Sequence, residues 1–312
     1  VLVIFKMFGF RLGKYFYISS LIYALMADII IKNLILIFLL LAAFIILFSF
    51  LTFIMSIKPG KWPMEFTPES FNLKYENVTF ETSDRLKLEG WFLPGNKNNN
   101  TIIVMHGYPT NKADVLPFSM FLLKKFNVLL FDFRSFGESE GSHTTAGYKE
   151  VKDLDAAVKY LKSRNDAKNI GVLGFSLGGS VAIMSKNDNI KAIVADSAYS
   201  NLNNMINVMY RGFLFLKYPF VQLTRVYSKI FFGIDPEDVS AEKAIKNIEK
   251  PVFIIHGKKD SQIPVSEAYT LHNANKDAEF WIIENADHGE TYALNKEEYE
   301  KRVLEFFEKN LR

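Results

Sequence analysis

Six short apolar runs, at residues 102–105, 128–131, 170–173, 192–195, 252–255 and 280–283, narrow the possible fold of this chain more than any other feature. Unbroken apolar runs of this length mark strands buried on both faces. Helical patterns separate most of them. Val151, Leu154, Val158 and Leu161 recur at the spacing of one helix face, residues 266–275 form another candidate helix, and Tyr299, Val303, Phe306 and Phe307 stripe a last one. Alternation of strand and helix predicts an α/β domain built on a mostly parallel, doubly wound sheet with helices on both faces. Ahead of it, residues 73–82 and 86–93 alternate in polarity around Ser83, Asp84 and Arg85, which predicts an antiparallel hairpin along one edge. In an open α/β sheet, ligands bind beyond the carboxyl ends of the strands. His106, Asp132, Ser176, Asp196, His256, Asp260 and His288 all follow apolar runs, so they are expected to gather on that edge.

One of these strand ends is unusual. Gly174-Phe175-Ser176-Leu177-Gly178 is a G-x-S-x-G turn between a predicted strand and a predicted helix. Such a turn holds the serine in strained backbone geometry and lifts its hydroxyl clear of the sheet; a Cβ at Gly174 or Gly178 is expected to collide with the packed strand and helix. A serine hydroxyl becomes a useful nucleophile only when a base takes its proton. With a nucleophile elbow the chain order is Ser, then Asp or Glu, then His. His288, past the last strand, is the expected base; His272, inside a helical stretch, is the alternative. Asp260, in the loop after 252–255, is the expected acid, with Asp196 as the runner-up; Asp287 is too close to His288 in sequence to face its ring. An oxyanion hole needs two backbone donors, expected from the amides of Leu177 and Tyr108. His106 and His256, each in a His-Gly pair, are expected to support turns. The chain has no cysteine, which removes disulfides, thiol catalysis and thiolate metal sites. No metal or nucleotide motif stands out, so no metal and no cofactor are expected.

The N-terminal part is of another kind. Residues 34–57 run for 24 positions without a charge. As a helix they would span about 36 Å, against about 30 Å of bilayer hydrocarbon, so they predict an uncleaved transmembrane anchor rather than a buried core helix or a cleaved signal. Residues 1–33 form a basic N-terminal segment, in which 15–31 could make a further apolar or interfacial helix. Lys6, Arg11, Lys14 and Lys32 precede the run and Lys58 and Lys61 follow it, against Asp28 alone. The positive-inside rule then favours a single-pass chain with its large domain on the extracytoplasmic side. The sequence begins with Val, and a start at Met26 would nearly cancel that bias. This flank carries +5 of a net charge of +3, which leaves the globular part at −2 and speaks against nucleic acid as a partner. Pro59, Gly60, Pro63 and Pro68 mark 58–72 as a linker before a domain at 73–312.

The motifs "HGYP" (106–109), "DFRSFGESEG" (132–141), "GFSLGG" (174–179), Asp260 before "IP", and "DHG" (287–289) resemble the α/β-hydrolase superfamily over about 73–312. The chain looks closest to membrane-anchored members grouped with serine aminopeptidase-like and prolyl-oligopeptidase-like hydrolases. The resemblance implies the α/β-hydrolase fold, serine hydrolysis through an acyl-enzyme, and a structural role for Asp132, Arg134, Gly137 and Ser139. It does not name the substrate, because this fold hosts many. Residues 199–249 break the strand rhythm where the family inserts a helical cap. There Met205, Tyr210 and Phe213 are candidates for an apolar acyl pocket, although most of the aromatic residues of this segment are expected to pack the cap onto the sheet. Arg211, Lys217 and Arg225 read as a solvated face. The expectation is an esterase- or lipase-like enzyme acting on a small-molecule or lipid-like acyl substrate at the membrane, with no obligate protein partner. A serine peptidase and a non-catalytic anchored binding protein are the alternatives.

Overall fold

A computed structural model describes residues 2–95 and 99–312, with side chains from Tyr15 onward. The side chains of Lys6, Arg11 and Lys14 therefore lie outside the described residues. The chain divides into two compact units at Leu51/Thr52. In the first, helix α1 (Leu2–Ile57) begins, and its stretch Tyr15–Ile57 is long and apolar enough to cross a membrane. The segment 15–31 is thus part of the same helix as 34–57. Within it Lys32 pairs with Asp28 at 2.7 Å, one helical turn apart.

The second unit carries the sheet. Its strands are β1 (Glu76–Glu81), β2 (Lys87–Leu93), β3 (Thr101–Met105), β4 (Asn127–Phe131), β5 (Ile170–Phe175), β6 (Ile190–Asp196), β7 (Val252–Gly257) and β8 (Glu279–Ile283). The spatial order is β1-β2-β4-β3-β5-β6-β7-β8. β1 and β2 form the expected antiparallel hairpin, β2 meets β4 antiparallel, and the remaining pairs are parallel. The first strand is shorter than its alternation predicts, because Leu73 and Tyr75 pack against the core before pairing begins.

Helices cover both faces, as a buried parallel sheet requires. They are α2 (Lys112–Val115), α3 (Glu150–Ser163), α4 (Leu177–Met184), α5 (Leu202–Met209), α6 (Lys217–Phe232), α7 (Ala241–Ile245), α8 (Ser266–Ala274), α9 (Thr291–Leu294) and α10 (Lys296–Asn310). Along β3, Ile103 and Met105 face the core shared with α3, α4 and α8, whereas Ile102 and Val104 face the core shared with α2 and α10. Each fully buried side chain of this kind contributes roughly 1.5–3 kcal/mol. Residues 199–249 hold α5, α6 and α7. The segment 58–72 lies along this unit: Met64 and Phe71 pack on the core, Lys61 donates to the Ser139 carbonyl at 3.1 Å, and the Trp62 carbonyl accepts from Asn111 at 3.3 Å.

The loop after β4 is fixed by buried ion pairs. Lys112 is fully buried, donates to Asp132 and Glu138 at 2.7 Å each, and lies over the Trp91 ring. Arg134 bridges Asp84 at 2.8 Å and Asp153 at 2.6 Å. The Ser139 hydroxyl donates to the Asp132 carbonyl at 2.6 Å. Removing one partner of such a buried pair leaves an uncompensated charge, so the loop is held in one geometry. Strand order reverses between β3 and β5, and the crevice at that switch point is where a doubly wound sheet receives its ligand.

Candidate active site

Ser176 follows β5 directly and caps α4 with φ 54° and ψ −114°, a backbone region that a residue with a Cβ adopts at a cost of about 1–3 kcal/mol. Close packing enforces the turn. A Cβ on Gly174 would come within 2.3 Å of Gly178 backbone atoms, and one on Gly178 within 2.6 Å of the Met105 carbonyl. Ser176 is 6% exposed, and its hydroxyl has no hydrogen-bond partner among the described residues. It faces a cavity of about 330 Å³ that His288 also lines.

The His288 ring is held from one side. Its Nδ1 lies 2.7 Å from Asp260 Oδ2 and is the donor of that bond, so Nε2 is left as the basic nitrogen. The other Asp260 oxygen accepts the amides of Gln262 at 3.0 Å and Ile263 at 2.7 Å. His256 braces the same carboxylate. Its Nε2 is 2.9 Å from the Ile263 carbonyl and 3.4 Å from Asp260 Oδ2. Asp287 ties the two loops together by accepting the amides of Ser261 and His288, at 2.7 Å each. Those two amides hold its carboxyl below the usual carboxylate range. Phe175 lies against the His288 ring at 5.0 Å.

The other candidates fall elsewhere. Asp196 is buried; it accepts Thr291 Oγ1 at 2.6 Å and the Tyr299 hydroxyl at 3.0 Å, and burial raises its pKa. It pairs with hydroxyls rather than with the imidazole of His288. His272 stacks on Phe280 at 4.4 Å, away from the cavity. His106 is fully buried, with Nδ1 on the Gly107 carbonyl at 2.7 Å and Nε2 accepting the Phe133 amide at 3.0 Å. This is a turn-supporting role, and it requires a neutral ring.

Tyr108 and Leu177 both line the cavity. Leu177 opens α4, so its amide is one of the N-terminal donors that a helix leaves without an internal partner. In the cap, Met205 lines the cavity, whereas Tyr210 and Phe213 do not. Tyr210 is buried beneath α6, stacked on Phe220 at 5.2 Å with its hydroxyl 2.6 Å from Thr52 Oγ1, and Phe213 packs edge-on to the same Phe220 ring. The Tyr210 ring fills the interior of the cap and Phe213 is exposed, so of the three candidates only Met205 lines the cavity. Arg225 pairs with Asp235 at 3.1 Å, and Arg211 donates to the Ser261 carbonyl at 3.2 Å.

Several lining residues gave no signal as site residues in the sequence. Thr144 and Thr145 come from the loop ahead of α3, Gln262 and Ile263 follow the Asp260 turn, and Phe53, Ser56 and Ile57 come from the end of α1. The surplus length of the run 34–57 over the hydrocarbon thickness was the available hint for the last group. Among the described residues the lining includes no Asp, Glu, Lys or Arg.

The profile of the prolyl oligopeptidase family matches residues 138–312. The chain belongs to that family. YqkD of Bacillus subtilis is 30% identical over 229 residues, which cover 71% of this chain and 75% of the relative. The esterase Pf2001 of Pyrococcus furiosus is 33% identical, covers 82% of this chain and 99% of its own, and superposes with a TM-score of 0.69. The acylaminoacyl peptidase of Pyrococcus horikoshii shares the fold at 20% identity with a TM-score of 0.58, over 78% of this chain and 43% of its own. The protein is an α/β hydrolase.

Proposed function

We propose that the protein is a membrane-anchored serine hydrolase that cleaves esters of apolar acyl groups, with Ser176 as nucleophile, His288 as base and Asp260 as the acid that orients it. The observation that carries this reading is the cavity itself: an apolar chamber with Ser176 and His288 in its wall and, among the described residues, no Asp, Glu, Lys or Arg in its lining. An aminopeptidase needs an anionic group to receive the substrate's ammonium, since burying that charge unpaired is costly. An acyl chain needs only apolar wall.

In this mechanism Ser176 Oγ attacks the ester carbonyl carbon while His288 Nε2 takes its proton. Negative charge collects on the carbonyl oxygen, and the amides of Leu177 and Tyr108 stabilise it. The C–O bond to the alcohol then breaks, and the alcohol leaves with the proton from His288. Water, deprotonated by the same nitrogen, attacks the acyl-enzyme and releases the carboxylic acid and the free serine. Asp260 stays ionised throughout and stabilises the imidazolium. In the resting site Ser176 and His288 are not hydrogen-bonded, a looseness common before substrate binds.

A second reading, hydrolysis of short peptides, draws on the prolyl oligopeptidase family match. A panel of alkyl esters beside aminoacyl and prolyl amides separates the two. The ester reading predicts kcat/KM at least about tenfold higher on esters of apolar acids than on the matched amides, after correction for intrinsic reactivity. A preference for amides would overturn it in favour of the peptidase.

A further inference from the structure

The end of α1 is built into the candidate active site. Phe53, Ser56 and Ile57 belong to the uncharged run 34–57, and all three line the cavity that Ser176 and His288 share. Phe53 is 3% exposed. Its ring sits among Tyr227, Phe231 and Phe232 of α6 at centroid separations of 5.6, 5.7 and 5.9 Å. The Ile57 carbonyl accepts the amide of Thr144 at 2.8 Å, and Thr144 lines the same cavity. A helix that serves only as a tether has no need of such contacts, since about 20 apolar residues already span the hydrocarbon.

We propose that this segment is the specificity-determining wall of an acyl-chain pocket, with Phe53 limiting chain length, and that the substrate is an amphiphilic acyl ester whose apolar chain partitions into the bilayer. The inference rests on the serine-esterase reading above and goes beyond it by naming the wall and the substrate class. The uncharged lining requires the buried part of the substrate to carry neither carboxylate nor amine. Beside Ser176 and His288 the lining includes the apolar side chains of Phe53, Met205, Ile206 and Phe232, which suit an acyl chain rather than a head group. Membership of the anchor in this wall places the selection of an apolar chain on the same segment that brings the enzyme to lipid.

The test uses the full-length protein in phosphatidylcholine vesicles and a series of p-nitrophenyl esters from acetate through butyrate, octanoate and laurate to palmitate. The parent should prefer an intermediate or long chain over acetate. Phe53→Ala should move the optimum to a longer chain, and Ser56→Phe, which adds bulk to the wall, should lower activity on laurate by about tenfold or more, the scale set by one or two misfitting methylenes. The readout is the ratio of kcat/KM on laurate to that on acetate within each variant, so a general loss of activity cancels. Phe53→Ala removes a ring from a packed cluster, so Phe53→Leu and Ser56→Phe are measured beside it, each with its thermal midpoint. Unchanged chain-length profiles in folded Phe53→Leu and Ser56→Phe, with Ser176 still labelled by a fluorophosphonate, would overturn the wall and leave the esterase reading standing. A full-length parent that hydrolyses no ester and takes no label would defeat the esterase reading, and this inference with it.

Discussion

At the level of single residues, the site depends on which polar groups are oriented and which are merely buried. His288 is oriented, because Asp260 receives its Nδ1 proton and is itself fixed by the amides of Gln262 and Ile263. His106 is buried and neutral. Desolvation lowers its pKa from the usual 6.5, while Asp132 and Asp114 pull the other way. The unfolded chain therefore binds a proton that folded His106 refuses. This term costs nothing above pH 6.5 and destabilises progressively below it, by at most about 1.4 kcal/mol per pH unit. Asp196 acts in the opposite sense. Its pKa is raised by burial, so the folded state holds the proton more tightly and gains stability as pH falls through the raised value. The comparison of parent with His106→Gln isolates the first term. Urea midpoints between pH 8 and 5.5 should converge as pH falls, with the parent losing stability faster than the variant. Parallel curves would show that His106 takes up a proton as readily in the folded as in the unfolded chain, contrary to this account. Ser176, Asp260 and His288 could be picked out as candidates in the sequence because each chemistry demands a residue type at a strand end, and the structure sets His288 against Asp260 and beside Ser176 in one cavity lining. Tyr210 and Phe213 were not distinguishable from Met205 as pocket residues, since composition does not say which face of a cap helix looks inward.

At the scale of elements, strands β3 to β7 were readable because burial on both faces leaves unbroken apolar runs, β8 because it carries the same apolar run although it lies at the sheet edge and is only partly buried, and the hairpin because one-sided burial leaves alternation. The end of α1 was not readable as part of the site. An apolar side chain facing lipid and one facing a protein cavity look alike in sequence, so 34–57 reads as span throughout, although Phe53 is packed against α6. This gives the end of α1 a structural role that a deletion can expose. A chain starting at residue 58 loses the Phe53 ring and uncovers Tyr227, Phe231 and Phe232, whereas one starting at residue 46 keeps the contact. The shorter chain should be less stable by about 3–5 kcal/mol in urea titration, the cost of removing a buried aromatic. Equal midpoints for the two would mean that the cluster contributes nothing to the domain.

For the whole molecule, two features of the sequence meet in one cavity: a doubly wound sheet that gathers a serine, a histidine and an aspartate beyond its strand ends, and an apolar helix whose last turns face the same space. Fold class was recoverable from alternation and spacing alone. Substrate class was not, because it resides in the shape of the lining, which is assembled from α1, the loop before α3, the cap and the Asp260 loop, segments far apart in the chain. The central claim is that this assembly holds an activated serine. The measurement that tests it most directly is covalent labelling of the full-length protein in detergent by a fluorophosphonate, beside Ser176→Ala and His288→Ala. The account predicts rapid labelling of the parent, none of Ser176→Ala, and a rate for His288→Ala lower by roughly 10³-fold or more. Labelling that persists in Ser176→Ala, or a folded parent that takes no label, would contradict it.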